Sequence, residues 1–219
     1  MRWDFASVLA NRDALLVGAV GTLRLFAICL LLGLSLGLVV GLGRYARRRW
    51  LYLATTVFVE FFRNTPVLVQ IIWFYFALPI LLPVEVAPLM AAVLGISLNS
   101  AAFSAEIYRG GIQSIDPGQW DGARALGMAW GQAMRRVILP QAIKRILPAL
   151  TNRGIEIFKM STLASAVAYV ELLQQGKLIA SVYFNPIEAY TTVAVIFLVV
   201  LWPMVQCSYL MERRLRRDE

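Results

Sequence analysis

A chain of 219 residues that is 59% hydrophobic, with a mean hydropathy of +0.68, lies far above soluble domains and reads as an integral membrane protein. The absence of histidine excludes a Ser-His-Asp triad, a histidine metal site and a histidine proton relay. A formal charge of +8 would suggest nucleic acid if the cations were scattered; sorted to one side of a bilayer, they mark cytoplasmic loops instead, and no nucleic acid, cofactor or metal is expected.

In chain order, residues 1–12 are short and mixed in charge. They lack the basic start and cleavage site of a signal peptide, so an uncleaved first span is expected. Residues 15–42 are apolar except for Arg24 and exceed the ~20 residues that cross a bilayer. Gly33, Gly37 and Gly41 recur every fourth residue, a small face suited to packing within the subunit or to a dimer seam. Cys29 and Cys207 both sit in apolar runs, which argues against a disulfide framework. After the basic turn Gly43 to Trp50, the second span covers 51–82, where Pro66 predicts a break after Thr65. A third span is expected over 89–107, a fourth over 146–170, and a fifth over 187–210 with a bend near Pro203. Five spans make an all-α polytopic membrane protein in one domain, residues 1–219, with a polar loop at 108–145.

Five spans alternate sides, which collects the cations. Arg44, Arg47, Arg48 and Arg49, then Arg109, Arg124, Arg135, Arg136, Lys144 and Arg145, then Arg213, Arg214, Arg216 and Arg217 share one face. Only Arg2, Arg12 and Lys177 fall opposite. The positive-inside rule then places the N-terminus outside and the C-terminus and the loop 108–145 in the cytoplasm.

The loop holds the longest polar, arginine-bearing stretch, Asp116 to Gln141. Asp116 is an N-cap for a helix opened by Pro117, with Gln119 placed to complete a capping box. Gly127 is a stop or sharp turn, and Pro140 is expected to interrupt the following amphipathic turn. By pattern alone this is either a cap on the bundle or a knob that a soluble partner grips.

Ionisable groups inside spans cost a few kcal/mol each and usually face a bundle interior or a wet cavity. Glu60 and Arg63 have pairing distance along a helix, and Asn152, Glu156 and Lys159 share one face that Thr162 continues. These charges either fix helix register by pairing or form a two-signed patch suited to a free amino acid. In the second case Arg63, Asn99, Asn152, Glu156, Lys159 and Thr162 line a path beside the Pro66 break.

The stretch Asp121-Gly122-Ala123, then Gly127, then Val137, Leu139 and Pro140 resembles the cytoplasmic E-A-A-x3-G-x9-I-x-L-P signature of ABC-transporter permease subunits, with Asp for Glu, Gly for Ala and Val for Ile. Likeness extends along nearly the whole chain to permeases for polar amino acids of the histidine, glutamine and glutamate type. It is carried by V-E-F-F-R-N-T-P-V-L-V-Q at Val59 to Gln70, A-E-I-Y-R-G-G-I-Q-S-I at Ala105 to Ile115 and L-P-Q-A-I-K-R-I-L-P-A-L-T-N at Leu139 to Asn152. Lys159 to Leu163 is similar to the family's K-D-T-S-L region but carries Met160 where the family has an acidic or amide residue. G-I-E-I-F at Gly154 to Phe158 resembles one subunit of glutamate/aspartate importers.

That resemblance implies a type I ABC importer permease in a bacterial inner membrane. Asp121, Gly122, Ala123, Gly127, Leu139 and Pro140 would then form the element that docks on a cytoplasmic ATPase dimer. The other implied partners are a second permease subunit, identical or a paralogue, a periplasmic or extracellular amino-acid-binding protein, the amino acid and the lipid bilayer. No G-x-x-x-x-G-K-[ST] loop is present, so ATP hydrolysis is expected elsewhere and this chain is not itself an enzyme. The alternatives are a secondary transporter or channel subunit not driven by ATP, for which no internal repeat is seen, and an intramembrane enzyme. For the latter, Ser161 and Lys159 have poor helical spacing.

Overall fold

The computed structural model describes residues 5–45 and 48–217, and among these no strand occurs. Arg2 and Arg47 lie outside the described residues. After a short α1 (Ala6–Ala10), the chain forms α2 (Arg12–Gly43), α3 (Arg49–Asn64) and α4 (Val67–Leu81). Next come α5 (Pro88–Gln113), α6 (Pro117–Ala125), α7 (Trp130–Ala133) and α8 (Leu139–Met160). A tight 3-10 turn, Ser161–Val167, leads to α9 (Leu172–Tyr183) and α10 (Pro186–Arg217).

By length and composition, Arg12–Gly43, Pro88–Gln113 and Pro186–Arg214 can each cross a membrane, and the bent pair α3–α4 makes a fourth if taken as one span. α8 carries Lys144, Arg145, Arg153, Glu156 and Lys159, which hold its hydropathy below theirs. Helical structure also reaches further than the spans expected from sequence, since α5 runs on to Gln113 and α8 starts at Leu139.

The glycine stripe of α2 packs inside the subunit. A Cβ at Gly33 would stand 2.6 Å from the Ser100 Cβ, and one at Gly37 would stand 2.6 Å from the Ser104 Cβ. The small faces of α2 and α5 thus bring two backbones together, the close approach such stripes permit. The main core follows from this seam: Leu25 and Cys29 of α2, Ile71 of α4, Ala92 and Ile96 of α5, Ile157 of α8, and Ala164 and Val167 of the tight turn. Large apolar side chains on the outside, such as Leu31, Val57, Ile80 and Val199, are exposed, as hydrocarbon-facing surfaces require. Both cysteines are free, Cys29 buried and Cys207 exposed.

Prolines break or widen the helices in two ways. At Pro66 the chain turns extended, with Thr65 at φ −103 and ψ 130, and α3 and α4 meet at 102°. This is the break predicted from Pro66. At Pro140 the sequence predicts an interruption, and here the structure differs: a wide turn, Met134–Ile138, joins α7 to α8 without ending the helix. A matching wide turn, Trp73–Ala77, precedes Pro79 inside α4. A proline cannot donate to the carbonyl four residues back, and a π-type turn just ahead of it re-registers the ladder so that helix continues. Pro203 likewise lies within the continuous α10.

Candidate functional site

Two polar regions stand out from the apolar bundle. The first is the segment around α6. Asp116 caps it, its carboxylate Oδ1 accepting from the Gly118 N–H at 2.6 Å. Gln119 does not close the expected capping box; its Oε1 accepts instead from Gln141 Nε2 at 3.1 Å, which ties the two arms of the segment together. The helix stops as Gly127 predicts. Gly127 adopts φ +73, its N–H donates to the Arg124 carbonyl, and the Met128 N–H donates to the Ala123 carbonyl. That bond pair is a Schellman stop, which needs a left-handed residue at the glycine position.

Asp121 and Arg124 pair at 2.7 Å on the outer side of α6, both well exposed, a pair worth at most about 1 kcal/mol. Gly122 is also exposed, whereas Ala123 is buried. Leu139 and Pro140 lie on the second arm, exposed just after the wide turn. Beneath the segment, Ile115, Ile138, Ala142 and Ile146 form a local core with Trp120 and Met134 packed against it. Leu126 and Trp130 project outward, 82% and 64% exposed. Beside them a cleft of about 570 Å³ is lined by Tyr45, Trp120, Arg124, Met128, Trp130 and Met134.

An ion cluster that the sequence reading did not assign supports this segment. Glu106 of α5 pairs with Arg44, at the end of α2, and with Arg109 at 2.6 Å. The Tyr45 hydroxyl donates to the Arg109 carbonyl at 3.0 Å. Burial raises the Tyr45 pKa above the usual phenol value while the Arg109 charge opposes the shift. The clamp joins the ends of α2 and α5 where the chain enters the polar segment around α6. Its signal in the sequence was Glu106 beside a cationic turn, but nothing local says which arginine it meets.

The second region lies at the α3–α4 break. Pro66 has no N–H for the Phe62 carbonyl, and two side-chain amides take its place. Asn99 Nδ2 donates to Phe62 O at 2.7 Å, and Gln70 Nε2 donates to Phe62 O at 3.1 Å and to Thr65 O at 2.9 Å. Such rescue of freed carbonyls is what lets irregular backbone persist at membrane depth. Asn99 then passes the network on: its Oδ1 accepts from Arg153 Nη2 at 2.9 Å, and Ser100 Oγ accepts from the same nitrogen at 3.1 Å. Arg153 Nη1 reaches Glu156 Oε2 at 2.8 Å. The guanidinium carbons of Arg153 and Arg63 lie 4.5 and 5.2 Å from the centroid of one ring, Phe103.

This geometry corrects several expectations. Glu156 pairs with Arg153, three residues before it, and no ion pair joins it to Lys159 among the described residues. Helical spacing permits either partner; Asn99 and Ser100 hold Arg153 in place and so decide between them. Glu60 accepts from Asn64 Nδ2 at 3.0 Å rather than pairing with Arg63. Asn152 Oδ1 accepts from Ser208 Oγ of α10 at 3.1 Å, so it faces a different neighbour from Arg153. Thr162 makes a local bond to the Lys159 carbonyl at 2.8 Å. The structure therefore brings Arg63, Asn99 and Glu156 together around Arg153, leaves Lys159 on the exposed side of α8, and turns Asn152 away. Arg153 falls inside the expected fourth span, 146–170, but sequence reasoning assigned it no role, because a buried arginine declares itself only through its partners.

A bundle of apolar helices flanking a proline-broken one, with a capped polar knob at one end, defines an all-helical membrane permease of the type I ABC importer fold. Comparison with known proteins agrees. The chain belongs to the family of binding-protein-dependent transport system inner membrane components, whose model matches residues 33–217. It is 31% identical over 219 residues to the arginine transport system permease protein ArtQ of Bacillus subtilis (strain 168), covering 100% of each chain. It is 34% identical over 217 residues to the glutamine transport system permease protein GlnP of Escherichia coli (strain K12), covering 99% of each. The crystal structure of an amino acid ABC transporter with histidines superposes with a TM-score of 0.93 at 36% identity, over 98% of this chain and 100% of that one. A chain of the inward-facing methionine ABC transporter MetNI shares the fold, with a TM-score of 0.78 at 23% identity over 94% of this chain and 98% of that one.

Proposed function

We propose that this chain is the permease subunit of an ATP-driven importer of polar amino acids, glutamate, aspartate or glutamine among them. It forms the translocation path and couples that path to a separate ATPase. The observation that carries this reading is the polar network from Phe62 O through Asn99 and Arg153 to Glu156. It links α3, at the break, to α5 and α8 and offers charges of both signs. The path comprises Arg63, Asn99, Glu156 and Lys159, with Asn152 and Thr162 on its flank. Docking on the ATPase falls to Asp121, Gly122, Ala123 and Gly127, with Leu139 and Pro140 on the second arm. A second permease subunit, a paired ATPase and an amino-acid-binding protein complete the machine.

Our topology keeps five spans, at 15–42, 51–82, 89–107, 146–170 and 187–210, with 108–145 and the C-terminus in the cytoplasm and the N-terminus outside. The test is uptake into proteoliposomes holding the permease, its ATPase and its binding protein. Uptake should require ATP and stop with vanadate; ATP-independent uptake driven by an ion gradient would replace this reading with a secondary transporter. A cysteine at Ser114 should react with an impermeant maleimide only in opened cells and one at Val84 in spheroplasts. The reverse pattern would invert the topology.

A further inference from the structure

We propose that α8 and α9 are the inner and outer halves of one broken fourth span, so that α9 stands within the outer leaflet with lipid acyl chains against its exposed face. The proposal rests on residues 187–210 being the fifth span. It completes the crossing expected over 146–170, which α8 leaves unfinished at Met160.

From Ile146 to Met160, α8 rises about 21 Å, short of the ~30 Å hydrocarbon core. Helix then gives way to the tight turn and to Ala168 at φ 56 before α9 begins at Leu172. The depth of this junction can be gauged against α10. α9 ends at Tyr183 and α10 starts at Pro186, so a two-residue connection folds them antiparallel. A Cβ at Gly176 would stand 2.5 Å from the Val193 Cγ2, and Ile179 and Ala180 share a buried cluster with Ala189. In that register Leu172 is level with Phe197, which packs on the same cluster. Phe197 lies ten residues past Ile187, about 15 Å into the span and so near the middle of the core. The end of α8 reaches the same level, with the Phe158 ring edge to face with Phe197 and centroids 5.7 Å apart. α2 supplies a second gauge. The Leu172 N–H donates to Thr22 Oγ at 3.1 Å, and Thr22 is seven residues, about 10 Å, past Leu15.

A half-helix that starts at this depth must satisfy its free N–H groups without water. Glu171 does so. It is fully buried, its Oε2 accepting from the Leu173 N–H at 2.8 Å and its Oε1 from the Gln174 N–H at 2.6 Å. The one charged residue within α9, Lys177, is bonded through Nζ to Ser165 Oγ at 2.9 Å. Both charges are therefore engaged by the protein, and the exposed face of α9 carries none. That face presents Leu178 and Val182, with Ser181, Tyr183 and Phe184 towards the tip. An uncharged face alongside the first turns of a span suits acyl chains, and the aromatic pair falls at the boundary where such rings collect. Phe184 is 90% exposed at φ 53, a conformation ordinarily left to Gly or Asn, so a ring there is held outward at a backbone cost.

The experiment uses the permease–ATPase complex in lipid nanodiscs. Nitroxide labels are placed one at a time by Leu178→Cys, Val182→Cys and Val195→Cys, each with Cys207→Ser, while Cys29 is buried and stays. All three sites are exposed, so the labels leave the packing intact. Collisions with oxygen, which dissolves among acyl chains, are compared with collisions with a water-soluble nickel chelate. Oxygen should dominate at all three sites, and the Leu178 label should lie about 6 Å deeper than the Val182 label. Equal depths would make α9 a helix lying along the surface and overturn the half-span. Nickel dominance at Leu178 and Val182 would place the face in water and overturn it too; protection on adding the binding protein would then make it that partner's docking surface. Exclusion of both reagents would put protein rather than lipid on the face, again overturning the proposal. Val195, on α10, separates the two readings. Nickel dominance there would sink the fifth span itself, whereas oxygen dominance there with nickel dominance at Leu178 would sink the half-span alone.

Discussion

Along the α2–α5 seam, Gly33 and Gly37 are packed so closely that a Cβ on either would stand 2.6 Å from a serine Cβ, whereas Gly127 at the polar knob has nothing within 4 Å but holds φ +73. The same residue type serves opposite physical needs. In the seam, glycine supplies absence of volume inside ordinary helix, where backbone contact replaces the hydrophobic drive that lipid cannot provide. In the knob it supplies a backbone conformation, with open space around it. Substitutions should therefore fail for different reasons and show up in different measurements.

The largest effect is expected in the seam. Gly37→Leu must push past the Ser104 Cβ and the Ala101 carbonyl oxygen, 2.6 and 2.9 Å from the added carbon. Overpacking of that kind costs about 1–3 kcal/mol or more, and here the obstruction includes backbone. The protein should be lost from the folded peak in fluorescence-detected size exclusion, and a wild-type peak would break the contrast.

Next comes the clamp between the two regions. Glu106→Gln leaves Arg44 and Arg109 facing each other without their shared carboxylate. Loss of a partly buried pair of this kind should lower stability by about 2–3 kcal/mol, read as a drop in thermal midpoint. A midpoint within a degree of wild type would show that the clamp does not join the ends of α2 and α5.

Gly127→Leu should be milder in folding and severe in function. The left-handed backbone costs a branched side chain about 1–2 kcal/mol. The cost comes from φ, since no neighbouring atom obstructs the turn. The protein should stay in the membrane while ATP-dependent uptake falls more than about tenfold, and Gly127→Asn, which tolerates this conformation, should retain most of it. Equal loss in both variants would mean that volume, not backbone angle, matters at the knob.

The smallest effect should follow Gly122→Ala. Gly122 lies exposed inside α6 with nothing within 4 Å, and alanine is what the family signature carries there. The change should stabilise α6 by up to about 1 kcal/mol and leave uptake near wild type. Destabilisation would show that this glycine, too, has a hidden neighbour.

The sequence by itself determined what composition and local chemistry decide. Mean hydropathy placed the chain in a membrane, Pro66 marked the helix break, Asp116 and Gly127 bounded α6, and the Asp121-to-Pro140 signature named the family before any coordinates did. Each of these depends on a residue and its near neighbours along the chain, so no folded partner was needed to read it. Tertiary structure alone decided the rest. Spacing allowed Glu156 to meet either Arg153 or Lys159, and Asn99 and Ser100, more than fifty residues away, made the choice. The carbonyl that Pro66 orphaned could be inferred from sequence, but not that Asn99 would fill it. Pro140 looked like a stop because a missing N–H breaks an α ladder, yet one wide turn re-registered it. Helical periodicity fixes which face a side chain occupies. Which of several reachable partners it bonds there is set by what the other helices place against that face.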